Sequence, residues 1–272
     1  MHMTSFIQLT DTHIVSEGSL AYGRSDTATA LARAVDTINS RLPVLDPVDC
    51  VVVTGDLTDH GSAEEYAHLR QLLAPLNVPV RAIPGNHDTR EAMRAAFATE
   101  DWMPASGPIQ WHHDFGPFAM VGLDTLVEGA PYGMVCEAGL GFLARSLKTT
   151  PDKPLVVATH HPWIPSGMAD MDRNNLRNGP AMLDLLREHD APVHVISGHL
   201  HRAMSALVDG VLHQVAPAPC HAVHLDQRAD AVNSLVLEPG QVTVYNWHDV
   251  TGGLVSDLLP IGDYPGPWPF YD

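Results

Sequence analysis

Five short segments of this 272-residue chain carry side chains that bind metal ions in proteins. They combine carboxylate, imidazole and amide donors without a thiolate, and they are Asp11-Thr12-His13, Gly55-Asp56, Gly85-Asn86-His87-Asp88, His160-His161 and Gly198-His199-Leu200-His201. This donor set favours Fe, Mn, Zn or Co over Ca²⁺. Each segment alone has an ordinary explanation, such as a helix cap, a turn or a structural histidine. Together they predict a hydrolytic site for two divalent transition-metal ions.

Every one of these segments follows an apolar run of the β type. The predicted strands are residues 6–9, 50–53, 78–83, 118–123, 155–158 and 193–196, and stretches with helical periodicity at 27–39, 63–73, 90–97, 137–147 and 180–188 separate several of them. This alternation predicts an α/β core with parallel strands. Ligands collect at the carboxyl ends of such strands, so five strand ends can bring the segments together. Gly55 and Gly85 are expected to let the backbone turn sharply into the site.

The pattern changes after residue 201 to short strands at 203–208, 211–215, 235–238 and 242–247. Asp209-Gly210 and Pro239-Gly240 separate adjacent strands, which predicts two antiparallel hairpins. The predicted fold class is therefore α/β, with two mixed sheets packed face to face and flanked by helices. Residues 162–179, rich in proline, glycine and polar side chains, are expected to form a loop over the site.

Composition narrows the choice of partners and compartment. The chain has 45% hydrophobic residues and a net charge of −17, from 15 basic and 32 acidic side chains. An acidic surface without a basic cluster argues against long nucleic acid as a partner. No apolar run approaches the roughly 18 residues that span a bilayer, and the first residues lack signal-peptide features. With three widely spaced cysteines as well, we expect a cytoplasmic protein without a membrane partner.

The complete set D-x-H, G-D, G-N-H-D, H and G-H-x-H resembles the calcineurin-like metallophosphoesterase superfamily. Within it the chain is similar to bacterial class III cyclic-nucleotide phosphodiesterases and glycerophosphodiesterases, over nearly its whole length. The resemblance implies a four-layer sandwich in residues 1–250, a small glycerophosphodiester or 3′,5′-cyclic nucleotide as substrate, and a homo-oligomer of two or more subunits. The Pro- and aromatic-rich tail, residues 251–272, is expected either to pack on its own subunit or be partly disordered, or to dock at a subunit interface.

The resemblance also assigns roles to individual residues. It implies one ion held by Asp11, His13 and His201, a second ion held by Asn86, His160 and His199, and a bridging Asp56. Two divalent ions, two carboxylates and a bridging hydroxide leave one positive charge, which matches a diester with one negative charge. The implied mechanism is attack by the metal-bridging hydroxide. His87 resembles the family histidine that protonates the leaving group, so His87 and Asp56 are the implied catalytic residues.

Four further residues lie within or near these motifs. His221 aligns, by its spacing from the preceding proline, with a substrate-side histidine of the glycerophosphodiesterases. His60 is expected to face solvent or, as a substrate contact, to line the entrance. Asp88 is expected either to orient His87 or a metal-bound water, or to cap the helix that follows it. His161 is expected to be structural.

Two alternative functions can be weighed from the sequence. Protein phosphatases carry arginines in G-D-x-x-D-R-G and before G-N-H-E, whereas this chain has His60 and Pro84 at those positions. A bidentate arginine clamp matches a dianionic monoester, so its absence favours diesters over phosphomonoesterase or protein phosphatase activity. The other alternative is a non-catalytic interaction scaffold of the same fold. Because every expected ligand and His87 are present, catalysis is the stronger hypothesis.

Overall fold

The computed structural model describes residues 4–271, which contain two large mixed β-sheets. In the first sheet, three strands are parallel: β1 (Ser5–Leu9), β2 (Val48–Thr54) and β3 (Val80–Ile83). Two later strands, β12 (Gln241–His248) and β13 (Gly253–Pro260), are added antiparallel at the side of β1. The order is β13-β12-β1-β2-β3, so the C-terminal part of the chain completes a sheet begun at the N-terminus.

The second sheet has six strands in the order β4-β5-β6-β7-β9-β8. Its parallel centre comprises β5 (Ala119–Gly122), β6 (Leu155–Ala158), β7 (Val193–Ser197) and β9 (Val211–Val215), and its antiparallel edges are β4 (Trp111–Asp114) and β8 (Met204–Val208). The hairpin predicted at Asp209-Gly210 is confirmed between β8 and β9. Both turn residues have positive φ, 49° and 83°, as a tight two-residue hairpin turn requires.

The second predicted hairpin, across Pro239-Gly240, is wrong. The short strand β11 (Leu235–Val236) pairs with β10 (Ala222–Val223), while β12 crosses to the first sheet and pairs with β1. The interior of β12 is buried on both faces, so this strand belongs at the centre of a sheet rather than in a surface hairpin. The neighbouring strand β13 lies within the range assigned to the tail. The part of the tail outside the sheet therefore begins at Ile261, and its Trp268 and Phe270 are largely exposed.

Helices cover the outer face of each sheet. Three of them, α1 (Thr27–Arg41), α2 (Ala63–Leu73) and α3 (Arg90–Ala96), share a buried cluster with the first sheet, and α4 (Glu137–Thr149) and α6 (Gly179–Leu186) share another with the second. In α1, Leu31, Val35 and Ile38 follow helical spacing and are fully buried. The predicted arrangement of two sheets between helical layers is confirmed. No helix among residues 4–271 is both long and apolar enough to cross a bilayer.

The interface between the sheets fixes the strand ends relative to one another. Phe6 of β1 stacks on Tyr245 of β12 with ring centroids 4.6 Å apart, and the inner face of the second sheet joins this cluster. The buried amide of Gln8 donates to Ser197 O of the opposite sheet at 3.0 Å and accepts from the hydroxyl of Tyr245 at 3.0 Å. Since Gln8 and Ser197 precede predicted ligands, these contacts set the distance between ligand-bearing strands.

Candidate metal centre

All seven predicted ligands meet where five parallel strands end. They follow β1, β2 and β3 of one sheet and β6 and β7 of the other, and they are Asp11, His13, Asp56, Asn86, His160, His199 and His201. Six of these seven side chains are buried, and Asn86 is partly exposed. A cavity of about 370 Å³ opens above them. The strand-end prediction from sequence therefore holds for both sheets.

Five of the predicted ligands have an unusual backbone conformation. Their φ angles are positive, at 52° for Asp11, 42° for His13, 49° for Asp56, 70° for His199 and 52° for His201. Among residues 4–271, only Tyr22 and Asp209 are further non-glycine residues with positive φ. A left-handed non-glycine residue costs roughly 1–3 kcal/mol and persists only where its surroundings impose it. Such residues concentrate at functional sites, so the strain itself marks this centre.

Two glycines make room for the ligands in different ways. Gly55 has a φ of 95°, which confirms the sharp turn expected before Asp56. A side chain there would also overlap the imidazole of His160. Gly85 does not have a positive φ, so the sharp-turn explanation is wrong for it. Its backbone instead passes directly beside Asp56, and any Cβ at residue 85 would overlap that carboxylate.

Hydrogen bonds to Nδ1 orient three of the histidines. The acceptor is the carboxylate of Asp59 for His13 (2.9 Å), the carbonyl of His221 for His201 (3.0 Å) and the carbonyl of Thr54 for His160 (2.8 Å). Because these oxygens can only accept, each Nδ1 carries a proton and each ring directs its Nε2 to the centre, where a neutral ring would offer a lone pair to a cation. Metal-binding histidines are held in this way.

The acceptor atoms then converge in two groups. In one, His201 Nε2 lies 3.2 Å from His13 Nε2 and 3.3 Å from Asp11 Oδ1. In the other, His160 Nε2 lies 3.2 Å from Asn86 Oδ1. Asp56 Oδ2 joins them, at 3.6 Å from His13 Nε2 and 3.3 Å from His160 Nε2. Acceptors packed this closely repel one another unless a cation or a proton lies between them. Ligands about 2.0–2.2 Å from one cation are roughly 3.0–3.4 Å apart, so the spacing fits two cations.

A buried nitrogen without a hydrogen-bond partner supports the same conclusion. Within the described residues, His199 Nε2 is such an atom, and a ligand atom of His199 lies close to one of His160 and one of His161. Buried polar atoms in native proteins nearly always have a partner. His161 Nε2 also lacks one, but its Nδ1 lies 2.8 Å from the Thr125 hydroxyl. His161 is fully buried and outside the cavity lining, in keeping with the structural role expected of it.

The pKa values show how strongly this centre favours positive charge. Burial opposes ionisation of the carboxyl of Asp11, yet His201 and His160 hold its pKa at about 2. Burial likewise disfavours the charged ring of His160, but Asp56 and Asp11 outweigh it and raise the pKa to about 9. Two buried carboxylates therefore attract either protons or cations. Divalent cations would neutralise the two carboxylates without requiring protonated histidines.

Asp59 orients two residues of the candidate site, a role that the sequence interpretation missed. Its carboxylate accepts from His13 Nδ1, and its backbone carbonyl lies 2.8 Å from His87 Nδ1. One residue thus orients both a predicted ligand and the predicted proton donor. The available signal was its spacing in Gly55-Asp56-Leu57-Thr58-Asp59, where the second carboxylate lies three residues after the first.

Asp88 neither caps α3 nor orients His87. The α3 N-cap, Thr89, has no side-chain capping bond, and His87 is oriented by Asp59. Instead the buried Asp88 carboxylate accepts from the backbone N–H groups of Leu57, Thr58 and Gly85 and from the hydroxyls of Thr58 and Tyr66. Burial, with help from Asp56, raises its pKa to about 6. Asp88 therefore ties the loop after β2 to the loop after β3.

The predicted substrate-side histidines differ in position. His87 and His221 line the cavity, whereas His60 does not. Burial and the neighbouring His201 and His13 lower the pKa of His221 to about 3, so its ring is neutral at neutral pH. The largely exposed ring of His60 is instead held by Glu65 at 2.7 Å. We therefore do not include His60 among the residues of the proposed site.

The rest of the lining comes from loops. Tyr22 stands edge-on to His221 with ring centroids 5.5 Å apart. Residues 162–179, expected to lie over the site, contain a short helix, α5 (Ala169–Asp172), and contribute Met171 and Asn174 to the lining. The small β10–β11 hairpin, which the sequence did not predict, contributes Val223, Asn233, Ser234 and Leu235. Apart from its histidines, the described lining contains one acidic side chain, Asp56, and no lysine or arginine.

An α/β sandwich with two cation-binding groups at its strand ends defines a class of metal-dependent proteins, and comparison with known proteins identifies the family. Residues 4–203 match the family model described as Calcineurin-like phosphoesterase. The chain is 36% identical to the probable glycerophosphodiester phosphodiesterase GpdQ of Arcobacter nitrofigilis, over 98% of this chain and 96% of that protein. It is 32% identical to the 3′,5′-cyclic adenosine monophosphate phosphodiesterase CpdA of Pseudomonas aeruginosa, over 72% and 69%.

A solved structure agrees in fold. A dimetal phosphatase from Danio rerio aligns with a TM-score of 0.62 at 16% identity, covering 95% of this chain and 99% of that one. This chain belongs to the calcineurin-like phosphoesterase family, and the resemblance seen in its motifs is confirmed.

Proposed function

We propose that the protein is a dinuclear-metal phosphodiesterase that hydrolyses small phosphodiesters. One cation is held by Asp11, His13 and His201, and the other by Asn86, His160 and His199. The observation that carries this proposal is the position of Asp56, whose Oδ2 lies within 3.6 Å of an imidazole from each group. A single carboxylate shared in this way can hold two cations close enough to act on one phosphoryl group. The names of the two phosphodiesterase relatives agree with the reaction.

Charge in the cavity supports a diester rather than a monoester. The carboxylates of Asp11 and Asp56 offset about half of the charge of two divalent cations. No lysine or arginine lines the cavity in the part of the chain that the structure describes. A dianionic monoester would leave its additional charge without an arginine clamp, whereas a monoanionic diester needs none.

When bound, the two cations would supply a nucleophilic water at neutral pH and neutralise the phosphoryl oxygens. The chain itself supplies proton transfer and orientation. His87 Nδ1 is fixed by Asp59 O, so Nε2 is directed away from that contact and its ring lines the cavity. A cavity-lining histidine oriented in this way can act as the proton donor for an alkoxide leaving group. The neutral His221 would hold the ester without adding charge.

Metal analysis combined with a paired kinetic assay tests the function. We expect about two transition-metal ions per chain and faster hydrolysis of bis(p-nitrophenyl) phosphate than of p-nitrophenyl phosphate. Asp56→Asn should reduce metal content below that of the wild type and lower diester turnover by at least about 10²-fold, since a bridging ligand is weakened. A metal-loaded protein that hydrolyses neither compound would favour the scaffold alternative. A preference for the monoester would favour a phosphomonoesterase.

A further inference from the structure

An ion pair between Arg90 and Asp124, here called the cross-sheet pair, connects the two sheets at the end where the proposed ligands lie. Arg90 is the first residue of α3, four positions after the proposed ligand Asn86. Asp124 follows β5 of the second sheet, and its side chain is fully buried, whereas that of Arg90 is partly exposed. Neither residue lines the cavity above the metal centre. The pair can therefore act on the centre only by positioning other residues.

The geometry of the cross-sheet pair fixes orientation as well as distance. Arg90 Nε and Nη2 donate to the two carboxylate oxygens of Asp124 at 2.7 and 2.8 Å, and Nη2 also donates to Leu126 O at 2.6 Å. The same carboxylate accepts from the backbone N–H groups of Ile109 and Leu126 at 2.8 and 2.9 Å. The backbone N–H of Arg90 donates to the carboxylate of Glu128 at 3.3 Å. A bidentate contact with these additional bonds holds the start of α3 against the loop after β5.

The cross-sheet pair lies close in sequence to ligands of the second site, the one proposed to be formed by Asn86, His160 and His199. Thr125 directly follows Asp124. Its hydroxyl lies 2.8 Å from Nδ1 of His161, which is the neighbour of His160. Asn86 Oδ1 and His160 Nε2 belong to different sheets, yet they lie 3.2 Å apart. Their separation therefore depends on contacts between the sheets, and the cross-sheet pair is such a contact.

Different contacts support the first site, proposed to be formed by Asp11, His13 and His201. The segments that carry these ligands follow β1 and β7, and Gln8 connects the two strands through its bond to Ser197 O. The carboxylate of Asp11 also accepts from the backbone N–H of His199 at 3.0 Å. These contacts involve neither α3 nor the loop after β5. Loss of the cross-sheet pair should therefore affect the two sites unequally.

We propose that the cross-sheet pair positions Asn86 against His160 and thereby determines the affinity of the second site for its cation. This inference rests on the proposed dinuclear centre and adds a physical difference between its two sites. Lysine cannot replace Arg90 in this role, because an ammonium group does not present the planar fork that matches a carboxylate at two points.

Stepwise binding of Mn²⁺, measured by competition with a chelator, tests the proposal. The wild type should bind two Mn²⁺ ions. Arg90→Lys should weaken one binding step by about 10–100-fold and leave the other within about threefold, as expected for loss of a residue that orients a ligand. The lysine keeps a positive charge beside the buried Asp124. A double variant with Arg90→Gln and Asp124→Asn removes both charges, and it should show the same unequal loss.

Two ligand variants identify the site that is affected. His13→Ala should retain the second site, and Asn86→Ala should retain the first site. Adding Arg90→Lys should weaken binding of the remaining Mn²⁺ ion in His13→Ala and leave it unchanged in Asn86→Ala. A general loosening of the fold would weaken binding in both, so this comparison separates positioning from a merely structural role.

Arg70→Lys is the matched control, because Arg70 forms an ion pair with Glu100 at 3.0 Å outside the cavity lining. This variant should bind both ions as the wild type does. Equal weakening of both ions in Arg90→Lys, unchanged binding of both, or the same unequal loss in Arg70→Lys would overturn the proposal.

Failure of the proposed function gives a different result. A wild-type protein that binds fewer than two Mn²⁺ ions would overturn the dinuclear centre and this inference together. A protein that binds two ions with the expected unequal loss, but hydrolyses no phosphodiester, would overturn the proposed activity alone.

Discussion

At the scale of single residues, the centre depends as much on the oxygen atoms behind the histidines as on the histidines themselves. Asp59, the His221 carbonyl and the Thr54 carbonyl each fix one Nδ1 proton, so three Nε2 atoms are directed inward before any cation binds. The cost of holding this arrangement is visible in the positive φ angles of five ligands. Preorganisation of this kind favours tight binding of cations, because little ordering remains to be done.

The role of His87 leads to a prediction that depends on the leaving group. Without a proton from His87, an alkoxide leaves slowly, whereas p-nitrophenolate is a good leaving group and needs no proton. His87→Ala should therefore lower kcat by about 10²–10⁴-fold on glycerophosphoethanolamine but by less than about tenfold on bis(p-nitrophenyl) phosphate. Metal content should stay near that of the wild type, because no proposed metal bond involves His87.

Two results would contradict this role. If His87→Ala lost its metals, the residue would be a ligand or a structural support. If both substrates slowed equally, proton donation to the leaving group would not be its contribution. His60→Ala provides the comparison, since His60 was also a substrate-contact candidate but lies outside the cavity lining. We expect His60→Ala to leave KM and kcat within about twofold, and a clear rise in KM would restore it as a substrate contact.

At the scale of elements, the loops after β2 and β3 must approach each other closely enough for Asp56 to reach both cation groups. Asp88, in the loop after β3, joins the two loops through three hydrogen bonds, from Leu57 N and from the N–H and hydroxyl of Thr58, and Gly85 provides the clearance. The φ of Gly85 is accessible to any residue, so a substitution there tests clearance alone.

Gly85→Ala should therefore displace both the carboxylate and the backbone nitrogen of Asp56, because a Cβ at residue 85 would overlap both. Overpacking of this kind costs about 1–3 kcal/mol, and we expect it to appear as at least a tenfold loss of metal affinity in a chelator competition. Gly253→Ala, at a position with open space around it, should change stability by less than about 0.5 kcal/mol and leave metal binding unaltered. Unchanged metal affinity in Gly85→Ala would mean that metal binding does not depend on the present position of the Asp56 carboxylate.

The elements also show where sequence reasoning succeeds and where it stops. Strand ends and ligand identities follow from local signals, because a β-type run followed by Asp, Asn or His can be recognised in a segment of about ten residues. The partner of β12 is not readable in this way, since β1 lies more than 200 residues earlier in the chain. The roles of Asp59 and Asp88 depend on contacts across loops, which a linear pattern does not contain. The β10–β11 pairing was missed because two-residue strands give no periodic signal.

At the scale of the whole molecule, the two sheets meet through an interface that contains polar groups as well as a hydrophobic cluster. Gln8 connects the sheets near the metal centre. On the same interface, His194 of β7 packs against Tyr245 of β12 with ring centroids 5.6 Å apart, and His194 is only 8% exposed. An imidazole buried between sheets makes their association sensitive to pH, because protonation would place a charge in that interface.

The sign and size of that sensitivity can be predicted. Burial, with a further contribution from His213, lowers the pKa of His194 from 6.5 to about 4. The unfolded chain therefore takes up this proton at a higher pH than the folded protein does. The neutral ring's contribution is fully present above pH 6.5 and is lost as the pH falls toward 4, by up to about 3 kcal/mol. In its free energy of unfolding, His194→Leu should match the wild type within about 1 kcal/mol at pH 7 and lose less stability between pH 6.5 and 4.

Urea unfolding at several pH values measures this difference, in which the shared contributions of the other histidines cancel. The exposed His224→Gln should follow the wild type, and parallel pH profiles for wild type and His194→Leu would show that His194 does not couple the sheets to pH.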